Sequence, residues 1–540
     1  MNLFDAIFKQ SSLERAAILY EQRQISYAAL RDQTVRFARG LSALGVAPDD
    51  RVALLLNDSP EFIAAFIAIC SYGAIAVPIN MALRLDEQCA ILNDCTASVA
   101  IVDEDFCEAL LEETNKLPHL REAVIVGRGK KEFTTEAQSP SSRHRENQPA
   151  TSITTRFLTD LLSESEQQPA SEFPDPDQNQ PAFILYTSGS TGEPKGAVHR
   201  QSDIFYTNET YCREVLRLRD GDRLFSSSRL PFAYGLGNGF MFPLLNGGTT
   251  ILCREKPTPE VITEVFAVHK PTIFFAVPVV YRLLLDQIRK NPPGIDLDCS
   301  SLRLCISAGE ALPAQLGDEW EKMFGVPLLD GIGSTEMLHM WMSNHEGEVV
   351  YGSSGKLLRG YEARLLDPEG NATAAGAEGN LWVKGASAAT EYWQRPETTA
   401  NTFVDGWVRT GDLYRQEGDF WFHMGRSDDC FKSSGQWVSP VEVEGVLLRH
   451  EAVSRVAVVE DFDDDHLPCA CAFVVRSQTP ADCTNVEQSL RELARSSLPR
   501  FKQPRRYVFV AELPYTATGK VQRFKLRESL KSNVQSQKPD

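Results

Sequence analysis

The apolar residues of this chain fall into short unbroken runs rather than long alternations. Arg51–Leu55, Ala74–Val77, Ser98–Val102, Ala123–Val126, Ala182–Tyr186, Thr249–Leu252, Thr272–Val277 and Leu302–Ser307 are of this kind. A strand covered on both faces needs no polar alternation, so these runs predict buried parallel strands. Helix-like segments separate them, and the alternation predicts an α/β fold with mostly parallel sheets. The uncharged stretch Phe62–Asn80 has the length of a membrane span. Gly73 and Pro78 interrupt it. The expectation is a helix through Cys70, a turn at Gly73 and a strand over Ala74–Val77, with no membrane span.

Elsewhere the pattern changes. Residues 127–155 are rich in charged and hydroxyl side chains and poor in apolar ones. An exposed, partly mobile loop is expected there. Between Tyr351 and Trp421, short runs such as Tyr361–Leu366 and Gly379–Val383 alternate with Gly, Asp and Pro turns. They predict a small barrel-like β subdomain over about 351–425. Beyond Gly425, strands at Val453–Val459, Cys469–Val475 and Arg506–Phe509 and a helix at Asn485–Ser497 predict a compact α+β unit. The expected division is a large N-terminal domain over 1–427 and a smaller C-terminal domain over 428–540. Its last residues, Ser532–Asp540, are expected to be disordered.

Composition narrows the class. With 540 residues, 42% hydrophobic and 24% charged, the chain has the make-up of a soluble globular protein. A net charge of −18 argues against general binding to nucleic acid or anionic membrane. The charge is uneven, because Arg495–Lys531 holds ten Lys or Arg against Glu512 and Glu528. Such a basic island suits a small polyphosphate. The 12 cysteines form no CxxC pair, and Met1–Lys9 lacks the basic start and apolar core of a signal peptide. Both point to a reduced, cytoplasmic protein. Cys469 and Cys471, close to His466, alternate within an apolar run and are expected in a strand rather than on zinc.

The densest chemistry lies at Tyr186–Gly196, immediately after a predicted strand. Thr187, Ser188, Ser190 and Thr191 supply hydroxyls, Gly189, Gly192 and Gly196 supply glycine, and Lys195 supplies charge. Glycines let backbone N–H groups approach phosphate oxygens, hydroxyls add donors and lysine adds attraction. The spacing is not that of a P-loop. A second Gly-containing loop, Ala308-Gly309-Glu310, follows the run Leu302–Ser307. Such loops at the carboxyl ends of strands are where open α/β sheets bind ligands. Asp330-Gly331-Ile332-Gly333 leads to Thr335 and Glu336, a hydroxyl for a phosphoryl oxygen and a carboxylate for a hard cation. Asp412 follows Gly411 in a Gly-Asp turn, whose carboxylate is of the kind that accepts from a pair of hydroxyls.

These motifs, in this order, resemble those of the AMP-forming adenylating enzymes: acyl-CoA synthetases, carrier-protein adenylation domains and luciferases. The resemblance runs from Tyr186 to Lys525. It implies that ATP and Mg²⁺ are used, with Thr335 on the α-phosphate and Glu336 as metal ligand. It implies that the loop with Ala308, Gly309 and Glu310 borders adenine, that Asp412 holds ribose, and that Arg426 lies near ribose or phosphate. Asp428 becomes the hinge of a mobile C-terminal lid. The segment with Lys432, Ser434, Gly435 and Trp437 becomes the loop that faces the thiol donor, and Lys520 the lysine required for adenylation. Many relatives carry an adenine-stacking aromatic where this chain has Ile332, so apolar packing must serve here.

Two stretches, Leu230–Gly239 and Gly333–His339, resemble benzoate-CoA ligases more than other members. A planar aromatic acid needs a flat apolar slot with a polar end. Ala233, Tyr234, Gly235, Ile332, Gly333 and His339 are the candidates to line it. The expected activity is an ATP-dependent aryl-CoA ligase, with a small aromatic carboxylic acid and CoA as cosubstrates. Transfer of the aryl group to a carrier protein and activation of another carboxylic acid are the alternatives. A monomer or homodimer is expected.

Overall fold

The structure, a computed structural model, describes all residues except 1, 10–11, 128–152, 168–172, 175–176, 178, 189–193, 291–296, 434–435, 464–466, 478–484, 516–520 and 536–540. The apolar runs are strands, as their composition predicts. A seven-stranded sheet has the order Thr154–Phe157, Glu122–Val126, Val99–Asp103, Arg51–Leu55, Ile75–Pro78, Pro181–Ser188, Pro194–Arg200. All its pairings are parallel except the last, where Pro181–Ser188 turns back on Pro194–Arg200. That antiparallel pair brackets the first motif. Thr154 and Thr155 pair with Glu122 and Ala123, so the polar segment expected to end at 155 gives way to a strand before it. Residues 128–152 of that segment lie outside the described residues.

The uncharged stretch behaves as its punctuation requires. Pro60–Tyr72 is a helix whose N-cap, Ser59, accepts from the Phe62 amide, with Pro60 in the first turn. Gly73, at φ 94°, ends it in the left-handed conformation that glycine adopts without strain. Ile75–Pro78 then enters the sheet. Among the described residues no helix is long and apolar enough to cross a membrane.

A second sheet of 14 strands changes character half-way. Ala16–Tyr20, Thr249–Leu252, Arg223–Ser226, Ile273–Ala276, Leu304–Ser307 and Leu328–Gly333 pair in parallel. From Met340–Ser343 onward the pairings are antiparallel, through Lys356–Leu357, Phe420–Arg426, Trp407–Glu417 and Gly379–Lys384. The β region expected over 351–425 is thus hydrogen-bonded into the same sheet, because Leu328–Gly333 pairs on one edge with Leu304–Ser307 and on the other with Met340–Ser343.

From Phe431 the chain forms two apolar clusters that include no earlier residue. They surround the sheet Val453–Phe462, Pro468–Arg476, Arg506–Phe509. Cys469 and Cys471 are buried within it as strand residues. The helix Arg523–Gln535 takes in Ser532–Gln535, so the tail expected to lack structure begins as helix; residues 536–540 lie outside the described ones. The molecule is α/β, with a large N-terminal part built on parallel sheets and a smaller α+β C-terminal part.

Candidate active site

Several of the candidate residues stand at or just after the carboxyl ends of strands in the two large sheets. Thr187 and Ser188 end Pro181–Ser188, and Thr187 is the cross-strand partner of Lys195. Gly189, Ser190 and Thr191 lie outside the described residues. The strand is anchored by the Tyr186 hydroxyl, which donates to Asp94 Oδ2 at 2.6 Å. Gly196 has no room for a side chain, because a Cβ would stand 2.6 Å from Ile184 Cγ2 and 2.9 Å from the Tyr186 ring.

In the second sheet, Ser307 and Asp330 are neighbours on adjacent parallel strands. Ala308 is buried and Gly309 takes φ +90°. Burial raises the Asp330 carboxyl well above its usual range, against the Leu312 and Gly331 amides. Its Oδ1 and the Ser307 hydroxyl are buried without a partner. Unpaired buried polar atoms are rare and often mark a ligand's place. Ile332 packs against the main core. Gly331 and Gly333 admit close approach, since a Cβ on either would lie 2.7 Å from the carbonyl oxygen of Met342 or His339.

Thr335 and Glu336 sit in a single 3-10 turn, Thr335–Met337. His199, which sequence reasoning missed, anchors it: its Nε2 lies 2.7 Å from the Thr335 carbonyl oxygen and its Nδ1 3.0 Å from Asp203. Leu338 follows at φ 63°, an unusual conformation for a non-glycine residue. The Glu336 carboxylate accepts from the Tyr392 hydroxyl at 2.6 Å, and among the described residues no ion pair reaches it. Tyr392 was also missed, although Tyr392-Trp393 is an aromatic pair after the small residues 385–390.

Asp412 and Arg426 are brought together, with Arg426 Nη1 3.1 Å from Asp412 Oδ1 and 2.9 Å from the Thr410 carbonyl oxygen. A Cβ on Gly411 would stand 2.7 Å from Arg426 Nη2, so glycine there permits the pairing. Burial alone would lower the Arg426 pKa; Asp412, Asp428 and Glu336 outweigh it and raise it. The Glu336, Asp412 and Arg426 side chains thus share one electrostatic neighbourhood. Lys432 and Trp437 are cross-strand partners in a two-stranded ribbon. Ser434, Gly435 and Lys520 lie outside the described residues. Glu310 is among the charges acting on Arg523 and Tyr515, so the C-terminal part approaches the loop after Ser307.

The proposed acid pocket is assembled around His339. Its ring centroid lies 4.8 Å from Tyr211, 4.7 Å from Phe242 and 5.9 Å from Tyr234. Tyr234 donates its hydroxyl to the Ile306 carbonyl oxygen at 3.1 Å. Ala233 and Gly235 open the short helix Ala233–Leu236, and a Cβ on Gly235 would stand 2.1 Å from the Arg229 carbonyl oxygen. Tyr211 and Gly237 lie in widened π-helical turns, Asn208–Leu216 and Gly237–Met241, which recur at functional sites. The Tyr211 hydroxyl and both His339 ring nitrogens are buried without a hydrogen bond of ordinary geometry, the Tyr234 backbone being the polar group that acts on the imidazole.

Burial pushes the His339 pKa down to about 3. The imidazole is therefore neutral near pH 7. An unfolded chain takes up this proton below about pH 6.5, whereas the folded one resists it until about pH 3. Stability from the neutral group is present above the unfolded pKa and lost as pH falls through that window. His339→Gln is expected to flatten the acid limb of the unfolding free energy, measured by urea titration at a series of pH values, by up to about 1.4 kcal/mol per pH unit. An unchanged slope would mean that His339 is not buried as a neutral ring.

The chain matches the AMP-binding enzyme family over residues 4–393 and the AMP-binding enzyme C-terminal domain over residues 442–520. It is 40% identical over 496 residues to a benzoate–CoA ligase of Thauera aromatica, covering 90% of this chain and 87% of that protein. It is 35% identical to a 4-hydroxybenzoate–CoA/benzoate–CoA ligase of Rhodopseudomonas palustris, covering 97% and 92%. Its fold is similar to that of an anthranilate CoA ligase solved with anthranoyl-AMP, with a TM-score of 0.88, 34% identity and coverage of 99% and 98%.

Proposed function

The chain belongs to the AMP-binding enzyme family, and from that premise we propose that it makes the CoA thioester of benzoate or a ring-substituted benzoate. It acts as an AMP-forming acid–CoA ligase. The observation that supports the aryl reading is the aromatic cluster of Tyr211, Tyr234 and Phe242 packed around the buried His339, with Gly237 close against the imidazole. An aromatic wall of this kind suits a flat apolar ring, and the buried polar atoms of Tyr211 and His339 suit its polar edge. The named activities of the Thauera and Rhodopseudomonas relatives support the same reading.

In the first half-reaction a carboxylate oxygen attacks the α-phosphorus of ATP, forming the aryl-adenylate as the bond to pyrophosphate breaks. Two anions must meet, so the site's task is positioning and charge compensation. Thr187, Ser188 and the residues through Lys195 hold the phosphates, Thr335 donates to the α-phosphoryl group and Lys520 adds a positive charge. Ala308, Gly309, Glu310, Asp330, Gly331 and Ile332 flank adenine. Asp412 accepts from ribose, with Arg426 beside it.

Among the described residues no three metal-ligating side chains cluster. A single carboxylate such as Glu336 fits Mg²⁺, which is commonly held by one or two carboxylates with phosphates and water. When bound, Mg²⁺ would neutralise charge on the phosphates. In the second half-reaction the CoA thiol attacks the acyl carbon and AMP leaves. The division at 427/428 lets the C-terminal domain pivot near Asp428, withdrawing Lys520 and presenting Lys432, Ser434, Gly435 and Trp437 to the thiol.

A panel of aryl and aliphatic acids, each with ATP, Mg²⁺ and CoA and read as AMP release, tests this. Benzoates are expected to be turned over at least about tenfold better than medium-chain fatty acids, as a pocket shaped for a flat ring discriminates by a few kcal/mol at most. Preference for the fatty acids would overturn the aryl reading. AMP release that needs a carrier protein rather than CoA would overturn the acceptor.

A further inference from the structure

Residues 389–395 form a clamp that none of the motifs accounts for. Tyr392 pairs in an isolated antiparallel bridge with Ala197, two residues after Lys195. Around it, the Val198 amide donates to the Glu391 carbonyl oxygen, and the Trp393 amide to that of Gly196. Trp393 Nε1 donates to the Asp94 carbonyl oxygen at 3.0 Å, and Arg395 pairs with the Asp94 carboxylate at 2.8 Å. That carboxylate also accepts from Tyr186. Thus the strands on both sides of residues 189–193 are tied to this one segment. On the other side, the Ala389 amide donates to the Glu336 carbonyl oxygen at 2.7 Å, and the Tyr392 hydroxyl to the Glu336 carboxylate at 2.6 Å. Lys195 Nζ lies 5.9 Å from the centroid of the same tyrosine ring.

We propose that Tyr392 is a positioning residue for adenylation, which orients the Glu336 carboxylate and fixes its distance from the Lys195 strand. The inference rests on the reading of Glu336 as the metal-side carboxylate. Tyr392 is 6% exposed and packs edge-on against Phe403 at 5.4 Å, so its ring has little freedom. A carboxylate held through one oxygen keeps the other for a cation. Groups that orient a metal ligand typically affect metal affinity by about 10- to 100-fold when removed.

Tyr392→Phe removes one oxygen and keeps the ring. The expected result is a rise of about tenfold in the Mg²⁺ concentration for half-maximal ATP–pyrophosphate exchange, with a smaller change at saturating Mg²⁺. Electron paramagnetic resonance of Mn²⁺ with ATP and the intact enzyme is expected to show a similar loss of affinity. Thioester formation from supplied aryl-AMP is expected to stay unchanged. In a Glu336→Gln background the tyrosine substitution is expected to add nothing. Unaltered Mn²⁺ affinity in Tyr392→Phe, with a loss in Glu336→Gln, would overturn the positioning role alone. Unaltered Mn²⁺ affinity in Glu336→Gln would overturn the reading of Glu336 itself. Should Tyr392→Phe fold poorly, Tyr392→His keeps a ring in the packing site but is too short to reach Glu336; loss of Mn²⁺ affinity in a well-folded Tyr392→His protein supports the role, and full affinity there would overturn it.

Discussion

Replacing Lys520 with alanine is expected to slow aryl-AMP formation by about 100- to 1,000-fold, the cost of removing one charge-stabilising donor from a transition state. The physical reason is local. The attacking carboxylate and the triphosphate repel one another, and the acidic chain, at net −18, supplies little compensation outside its basic C-terminal end. Tyr515 and Val521, on either side of residues 516–520, pair in an antiparallel bridge, which anchors the flanks of that segment. Thioester formation from supplied aryl-AMP has no such repulsion to offset and is expected to survive. ATP–pyrophosphate exchange and thioester formation, measured separately on the same variant, give the comparison. Equal loss of both half-reactions would count against a C-terminal domain that serves them in turn.

Replacing Arg523 with alanine is expected to destabilise the C-terminal domain by about 3–5 kcal/mol, as for other buried pairs broken on one side. Arg523 Nη2 meets both oxygens of Glu444 at 2.8 and 2.9 Å, and its Nη1 lies 3.7 Å from Asp429. Glu444 is 9% exposed and also accepts from the Val458 amide at 2.7 Å. Without the guanidinium its charge would be left in an apolar interior. Arg527 holds Asp429 at 3.0 Å, next to Asp428, so the network ties the last helix to the proposed pivot. Hydrogen exchange in the full-length protein should show faster exchange across Val453–Phe462 and Pro468–Arg476, while Arg51–Leu55 keeps its protection. Undiminished protection in the C-terminal strands would show that the pair contributes little. The double variant Arg523→Met/Glu444→Met is expected to recover much of the loss, because apolar residues of similar volume can replace a buried pair.

Much of this molecule is legible along the chain because its determinants are local. The unbroken apolar runs give buried parallel strands, since a strand covered on both sides has no polar face. Ser59, Pro60 and Gly73 set the bounds of one helix within a few residues of the sequence expectation. The ordered motifs from Tyr186 to Lys525 carry the family, since glycine, hydroxyl and lysine spacing is itself the chemistry of phosphate binding. Sequence does not reveal how the β region after Tyr351 attaches, because strand neighbours are chosen by edge pairing and not by composition.

The sequence by itself determined the fold class, the family and the residue types available to the reaction. Only the tertiary structure decided which of them share a site. Tyr392 meets Glu336 across 56 residues, His199 meets the Thr335 carbonyl across 136, and Arg395 meets Asp94 across 301. No periodicity links such pairs, for they arise where separate strands end side by side. The polar atoms of Tyr211 and His339 left without an ordinary hydrogen bond are likewise a property of burial. A histidine becomes a neutral, apolar-walled group only when the helices around it close, and that enclosure exists in space and not along the chain.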